Sequence, residues 1–240
     1  MKSKTYARFF LMNVIGLSIA GLFLIWLSNN GALDFWITNQ FFDSVTQTFP
    51  FQNSPFLEKV GHTFLKNLTA FFLIAGILLS IASNVVSVLL PLKRPLLNFC
   101  LMAAASALSI SFLKSTSVHA CPWDLQMYGG QAPWLALFAD VLETNNPGHC
   151  WPGGHASGGF ALVAGYFAFR VDRPCWARIF LILGFVFGSV MSFVQIMRGA
   201  HFLSHNLWTL WFVWSICFGF DAVLRFIAEK QKKLNVYHLA

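Results

Sequence analysis

Pro152-Gly153-Gly154-His155-Ala156-Ser157 divides a polar, turn-rich loop, Glu143 to Cys150, from the apolar run Phe160 to Phe169. The change of composition predicts a helix that starts here. Two glycines ahead of a helix leave backbone N–H groups unpaired and unshielded by side chains. With the positive end of the helix dipole, those groups make a seat for a phosphate. His155 follows directly, placed to hand a proton to whatever sits there. The plainer alternative is a loop that ends in an ordinary helix start.

Composition sets the class around this stretch. The chain is 57% hydrophobic and 10% charged, with 27 phenylalanines, which excludes an ordinary soluble domain. Several apolar runs approach the ~20 residues that cross a bilayer. The expected fold is an all-α polytopic membrane protein forming a single domain over residues 1–240. The net charge of +7 is no sign of nucleic acid, because the basic residues gather at alternate inter-helix segments, which is a topology signal.

Six spans are expected. The first, Phe9 to Leu27, follows Lys2, Lys4 and Arg8, and is too long for a signal peptide, with no convincing cleavage site after it. An interfacial connection, about residues 29–66, holds Phe35, Trp36, Phe41, Phe42, Phe49, Phe51 and Phe56 and reads as a membrane-surface anchor. The second span is about Leu68 to Leu90 and the third about Leu96 to Leu113, ending in Lys114. A loop from Ser115 to Gly154 follows, rich in turn residues such as Gly129-Gly130 and Asn145-Asn146-Pro147. The fourth span starts at His155, the fifth covers about Ala177 to Met197, and the sixth about Leu203 to Phe226.

An even number of spans puts both termini on one side. Lys93, Arg94, Arg170, Arg173, Arg178, Arg225, Lys230, Lys232 and Lys233 fall there with the N-terminal cations, so that side is read as the cytoplasm. The other side keeps Lys59, Lys66, Lys114 and Arg198, and collects His62, His119, His149, His155, His201 and His205. Ionisable groups at helix ends near lipid are costly, so function is their default explanation. Lys114, the Pro152–His155 stretch, and Arg198-Gly199-Ala200-His201-Phe202-Leu203-Ser204-His205 converge on that outer face. If the last stretch is helical, Arg198, His201 and His205 share one face through offsets of three and four.

These three stretches resemble the signature of the PAP2 family, membrane-embedded type 2 phosphatidic acid phosphatases related to vanadium haloperoxidases. The family pattern runs Lys-x6-Arg-Pro, Pro-Ser-Gly-His, then Ser-Arg-x5-His-x3-Asp. Here it reads Lys114-x6-Cys121-Pro122, Pro152-Gly153-Gly154-His155, and Gly199-Ala200-His201 around the nucleophile position. His205 holds the Asp position, Gln195 the second Arg position and Val194 the Ser position. The resemblance covers about residues 114–209 and marks a divergent branch, with both family arginines replaced.

It implies phosphoryl transfer without metal or cofactor. His201 attacks phosphorus to form a phosphohistidine, while His155 protonates the leaving oxygen and then activates water. Lys114, Arg198, Gly153 and Gly154 bind the phosphate, and His205 holds the His201 ring as a carboxylate does elsewhere in the family. The implied substrate is a lipid phosphate or diphosphate in the bilayer, such as lipid A, polyprenyl diphosphate or phosphatidylglycerol phosphate. Hydrolysis and transfer to an acceptor both fit. The implied place is a bacterial inner membrane with the site facing the periplasm. Two rival readings are a zinc site of His155, His201 and His205, and a non-catalytic lipid-binding or transport protein. Finally, Cys121 and Cys150 share the outer loop, whereas Cys100 and Cys217 lie in apolar spans and Cys175 on the cytoplasmic side. An oxidising compartment permits a Cys121–Cys150 disulfide, two free thiols being the alternative.

Overall fold

The computed structural model describes residues 3–59, 65–138 and 148–237. Lys2, His62 and the stretch from Glu143 to Pro147 lie outside the described residues, as do the side chains of Lys66, Lys232 and Lys233. Among the described residues the fold is all-helical, with loops between the helices, no strand and two isolated bridges, Asp43 with Thr48 and Leu125 with Ala132. The helices are α1 (Ser3–Asn30), α2 (Ala32–Asn39), α3 (Pro55–Leu57), α4 (Leu65–Ala82), α5 (Lys93–Ser115), α6 (Gly154–Phe160), α7 (Val163–Phe169), α8 (Pro174–Met197) and α9 (Leu203–Tyr237).

Four helical stretches are long and apolar enough to cross a membrane: Lys4–Asn30, Ser87–Ser115, Pro174–Met197 and Leu203–Gln231. The chain is therefore a multi-pass membrane protein. Two of the six expected spans take a different form. The second stops at Ala82 rather than Leu90, because Ser83 Oγ donates to the Ser80 carbonyl and Asn84 Nδ2 to that of Ile81. Such side chains satisfy the last carbonyls and end the helix; a 3₁₀ turn, Ser87–Leu92, then leads into α5. The expected fourth span is two seven-residue helices, α6 and α7. Between them the amides of Leu162 and Ala164 bond three residues back, to Gly159 and Ala161.

Close packing explains the short helices. A Cβ on Gly159 would lie 2.3 Å from the Gly188 nitrogen, so the α6 and α8 backbones touch. Small residues at such a crossing drive association where lipid supplies no hydrophobic force between helices. Behind the contact, Phe160, Phe167 and Phe169 join Leu96, Phe99, Met102 and Val213 in the main core.

The bundle has two distinct ends. At one, Asp221 on α9 accepts hydrogen bonds from Arg170, just past α7, and from Arg225. The Arg170 guanidinium also lies 3.8 Å over the Phe9 ring, which ties α1 in. At the other end meet the C-termini of α5 and α8 and the N-termini of α6 and α9. The interfacial segment covers this second end. It does more than anchor: Phe49 is buried with Leu125, Tyr128 and Phe202, and Phe35, Phe41 and Phe42 pack on them, while Trp36 and Phe56 face outward.

Candidate active site

The site is built on helix ends. α8 finishes at Met197, and Gly199 then takes φ +73, the left-handed turn that stops a helix. Any side chain at 199 would also strike the Phe49 ring, 2.5 Å from an ideal Cβ. The Gln195 carbonyl accepts the N–H groups of Ala200 and His201, at 2.9 and 3.3 Å, and so fixes the loop that presents His201. Leu203 then opens α9. The stretch from Arg198 to His205 is thus a helix end, a glycine turn and a helix start, and the expected single helical face does not form. Arg198 goes elsewhere: its Nε donates to the Gln52 carbonyl at 2.9 Å, tying it to the interfacial segment.

The second arm is the loop between α5 and α6. Its two strands of chain run side by side, His149 N–H donating to Ser117 and Cys150 N–H to His119. Cys121 and Cys150 carry a disulfide, with Cα atoms 5.2 Å apart. Cys150 Sγ also lies 3.4 Å from His201 Nδ1. This, rather than His205, is the contact made to that ring nitrogen. The His201 and His205 rings sit edge to face with centroids 6.0 Å apart, and His205 Nδ1 is buried with no hydrogen-bond partner among the described residues.

Pro152 and the two glycines bring α6 in against α9 and α5. Gly153 cannot be larger, since a Cβ there would lie 2.4 Å from Asn206 Oδ1. Its N–H donates to the His205 carbonyl at 2.9 Å, so the Gly153 amide is spent inside the protein and is withdrawn from the expected phosphate seat. Gly154 differs. An ideal Cβ on it would lie 3.1 Å from Lys114 Cδ and 3.4 Å from Nζ, so the missing side chain is what lets the ammonium rest over the start of α6. His155 follows, half-buried, its ring centroid 5.9 Å from that of His201. Lys114, Gly154, His155, His201 and His205 therefore come together.

A family model for the PAP2 superfamily matches residues 95–229, more than half of the chain. The chain belongs to the PAP2 superfamily. No curated protein and no solved structure matches it. Membership makes phosphatase chemistry, in general terms, the activity to expect of the PAP2 site, and all three motif regions lie within the matched residues.

Electrostatics suit that chemistry. Burial holds the His201 ring well below the usual histidine range, and His205, His155 and Lys114 push it the same way against a Cys150 backbone contact. A neutral ring keeps a lone pair for attack. An acid limb of activity set by His201 should therefore fall below the ordinary histidine value of about 6.5. The stability sign follows. The folded-state value is lowered, so the unfolded chain takes up the proton more readily, and stability is full above about pH 6.5 and declines below it. Melting temperatures across about pH 8 to pH 5 should fall on the acid side, and His201→Gln should flatten that fall.

Sequence reasoning passed over Asp34. It sits on α2, is 2% exposed, and its Oδ1 accepts the Ser204 N–H at the start of α9. Burial pushes its carboxyl up to about 6, against hydrogen bonds from Ser204 and Leu203. A carboxylate at a helix N-terminus is favourable, and here it holds the helix that carries His205. A buried acid in an aromatic-rich connection was the available signal. Asp34→Ala should cost about 1–3 kcal/mol by orphaning the Ser204 amide. Asp34→Asn keeps an acceptor and should stay close to wild type. The raised value means the stabilising contribution of Asp34 is complete at acid pH and is lost as pH rises through about 6. Asn should therefore compare best with Asp in melts above that pH.

The metal trio expected as a rival takes another form. Among the described residues the ligand atoms that converge, all within 4.8 Å of one another, belong to Cys150, His201 and His205. The disulfide keeps Cys150 from offering a thiolate.

Proposed function

We propose that this PAP2 protein is a membrane lipid phosphatase working through a phosphohistidine and without a metal. The observation that carries the reading is the meeting of His155 and His201, 5.9 Å apart, beside a Lys114 ammonium laid over Gly154. With His201 Nδ1 turned to the Cys150 sulfur, Nε2 is the attacking atom. It forms the P–N bond as the P–O bond to the lipid breaks, and His155 gives its proton to the departing oxygen. His155 then takes a proton from water, which attacks phosphorus, breaks the P–N bond and releases inorganic phosphate. Lys114 and the Gly154 amide meet the equatorial oxygens, and Arg198, its Nε held by the Gln52 carbonyl, would reach them only through its terminal nitrogens. His205 stands where the family has a carboxylate and acts as a neutral support.

An apolar groove of about 510 Å³ supports a lipid substrate. Leu17, Phe23 and Leu24 on α1, Phe185 on α8, and Trp211 and Trp214 on α9 line it, and it reaches Leu207, two residues from His205. That is room for a hydrocarbon chain along α1 and α9. Orientation is part of the proposal: Lys4, Arg8, Lys93, Arg94, Arg170 and Arg173 mark the opposite end as cytoplasmic, so the site faces outward. In this reading α4 and the α6–α7 pair complete six passes of an inner-membrane protein.

Phosphate release by purified protein from lipid phosphates and diphosphates, with and without chelator, tests the reading. Release that survives chelator and is blocked by vanadate, which mimics the five-coordinate transferring phosphoryl group, is the expected result. Loss with chelator would overturn metal independence, and no release from any of these substrates would overturn the phosphatase assignment.

A further inference from the structure

We propose that opening the Cys121–Cys150 disulfide converts the wall of this pocket into a zinc site made by Cys150, His201 and His205. The three ligand atoms lie within 4.8 Å of one another and all three residues are buried. Cys150 Sγ and His201 Nδ1 are already 3.4 Å apart. A tetrahedral zinc with sulfur at about 2.3 Å and nitrogen at about 2.0–2.1 Å holds its ligands roughly 3.3–3.6 Å from one another. One pair is thus at the spacing a metal requires, and the widest needs to close by at most about 1.5 Å.

The second observation is His205 Nδ1, buried and without a hydrogen-bond partner among the described residues. A ring nitrogen in that state is costly unless something takes it up, and zinc would do so with Nδ1 as the His205 atom turned to Cys150 and His201. Sulfur is the third requirement. In the disulfide it carries no charge and ligates poorly; as a thiolate it is a soft donor that, with two imidazoles, selects zinc or cobalt over magnesium and calcium. The thiolate charge also offsets the repulsion that Lys114 and His155 direct at a cation.

The geometry gives the reduction a direction. Cys121 is partly exposed whereas Cys150 is fully buried, so a dithiol reductant attacks the Cys121 sulfur. The bond between reductant and Cys121 forms, and Cys150 leaves as the thiolate beside His201. The second thiol of the reductant then releases Cys121 as a thiol, the reductant ends as a disulfide, and two electrons have passed to the protein. Zinc binds the Cys150 thiolate and the two ring lone pairs, leaving a fourth position for water or an anion. A His201 lone pair held on zinc is unavailable to phosphorus, so the metal form would be inactive; that consequence alone rests on the phosphatase reading.

Cobalt is the probe, because thiolate ligation gives a near-ultraviolet charge-transfer band and tetrahedral geometry a visible one. Full-length protein in detergent is titrated with Co²⁺ as purified under air and after reduction with a phosphine, which competes weakly for metal. The reduced protein is expected to bind one equivalent with both bands, and Zn²⁺ to displace it. Cys121→Ser should bind without any reductant, since its Cys150 is free from the start. Cys150→Ser and His205→Ala should each weaken binding at least about tenfold and erase or shift the charge-transfer band. The oxidised wild type should show none. Absence of the band in reduced, folded wild type overturns the site, as does a band that survives Cys150→Ser, which would belong to another cysteine. Loss of helical circular dichroism on reduction also overturns it, because the site needs the folded pocket. Since the readout is the metal and not turnover, an inactive but metal-binding protein would fault the phosphatase reading and leave this one standing.

Discussion

Replacing His201 by alanine should lower phosphate release by about 10⁴-fold or more while the helical circular dichroism stays that of the wild type. The size follows from chemistry that no neighbour can take over. His205 is the other imidazole on α9, but its ring centroid is 6.0 Å away and its position is set by the start of the helix. In the proposed mechanism His155 serves as the acid, and a single ring cannot attack phosphorus and protonate the leaving oxygen together. Loss of a buried ring leaves a cavity, so His201→Gln, closer in volume, should accompany the alanine variant. Both should be inactive, which separates lost chemistry from lost packing. Rapid quenching of the wild type with labelled substrate should trap acid-labile, alkali-stable phosphate on the chain, and neither variant should carry it. Label on His201→Ala, or turnover within tenfold of wild type, would move the nucleophile elsewhere. His155→Asn should fall less, by roughly 10²–10⁴-fold, the usual worth of a positioned proton donor.

The sequence made much of this site readable because its parts are local. A glycine pair before a helix, a lysine closing a span and a histidine after Gly199-Ala200 are each visible within a few residues. What stayed hidden depends on partners far away in the chain. The shared helical face of Arg198, His201 and His205 fails at Gly199, which turns at φ +73 and whose missing side chain makes room for the Phe49 ring, some 150 residues earlier. The Gly153 amide reads as free in a linear chain and is taken by the His205 carbonyl in the fold. Asp34 lies in a stretch whose aromatic content pointed to the membrane surface, and only the Ser204 contact shows its task. The division of the expected fourth span into α6 and α7 stayed hidden in a similar way, since apolar composition does not reveal that Gly159 and Gly188 bring α6 hard against α8. Cys121 and Cys150 could be paired from topology, but the contact of Cys150 with His201 could not, being a matter of which way a sulfur points.

Asp221→Ala should cost about 3–5 kcal/mol of stability, the loss expected when one partner of a buried ion pair is removed. The Arg170 side chain is 7% exposed and that of Asp221 10%, so water cannot take over when the carboxylate goes. Arg170 would keep its place over the Phe9 ring, worth about 0.5–2 kcal/mol, which offsets only part of the loss. Arg225 is more exposed, at 24%, and lies one turn along the same helix. Arg225→Ala should therefore cost no more than about 1 kcal/mol. Asp221→Asn keeps the shape and one acceptor oxygen and should fall between the two. The decisive variant is Arg170→Leu combined with Asp221→Ala. It removes the buried guanidinium together with its carboxylate, leaving only the more exposed Arg225 without its partner, and should recover most of the stability lost in Asp221→Ala, since apolar replacement of a buried pair is often neutral. Thermal or denaturant melts in one detergent give the comparison. The cluster sits at the end of the bundle opposite His201, so phosphate release by folded Asp221→Ala at low temperature should stay near wild type. Stability within about 0.5 kcal/mol of wild type for Asp221→Ala, or a double variant no better than the single one, would show that the pair does not hold α1, α7 and α9 together.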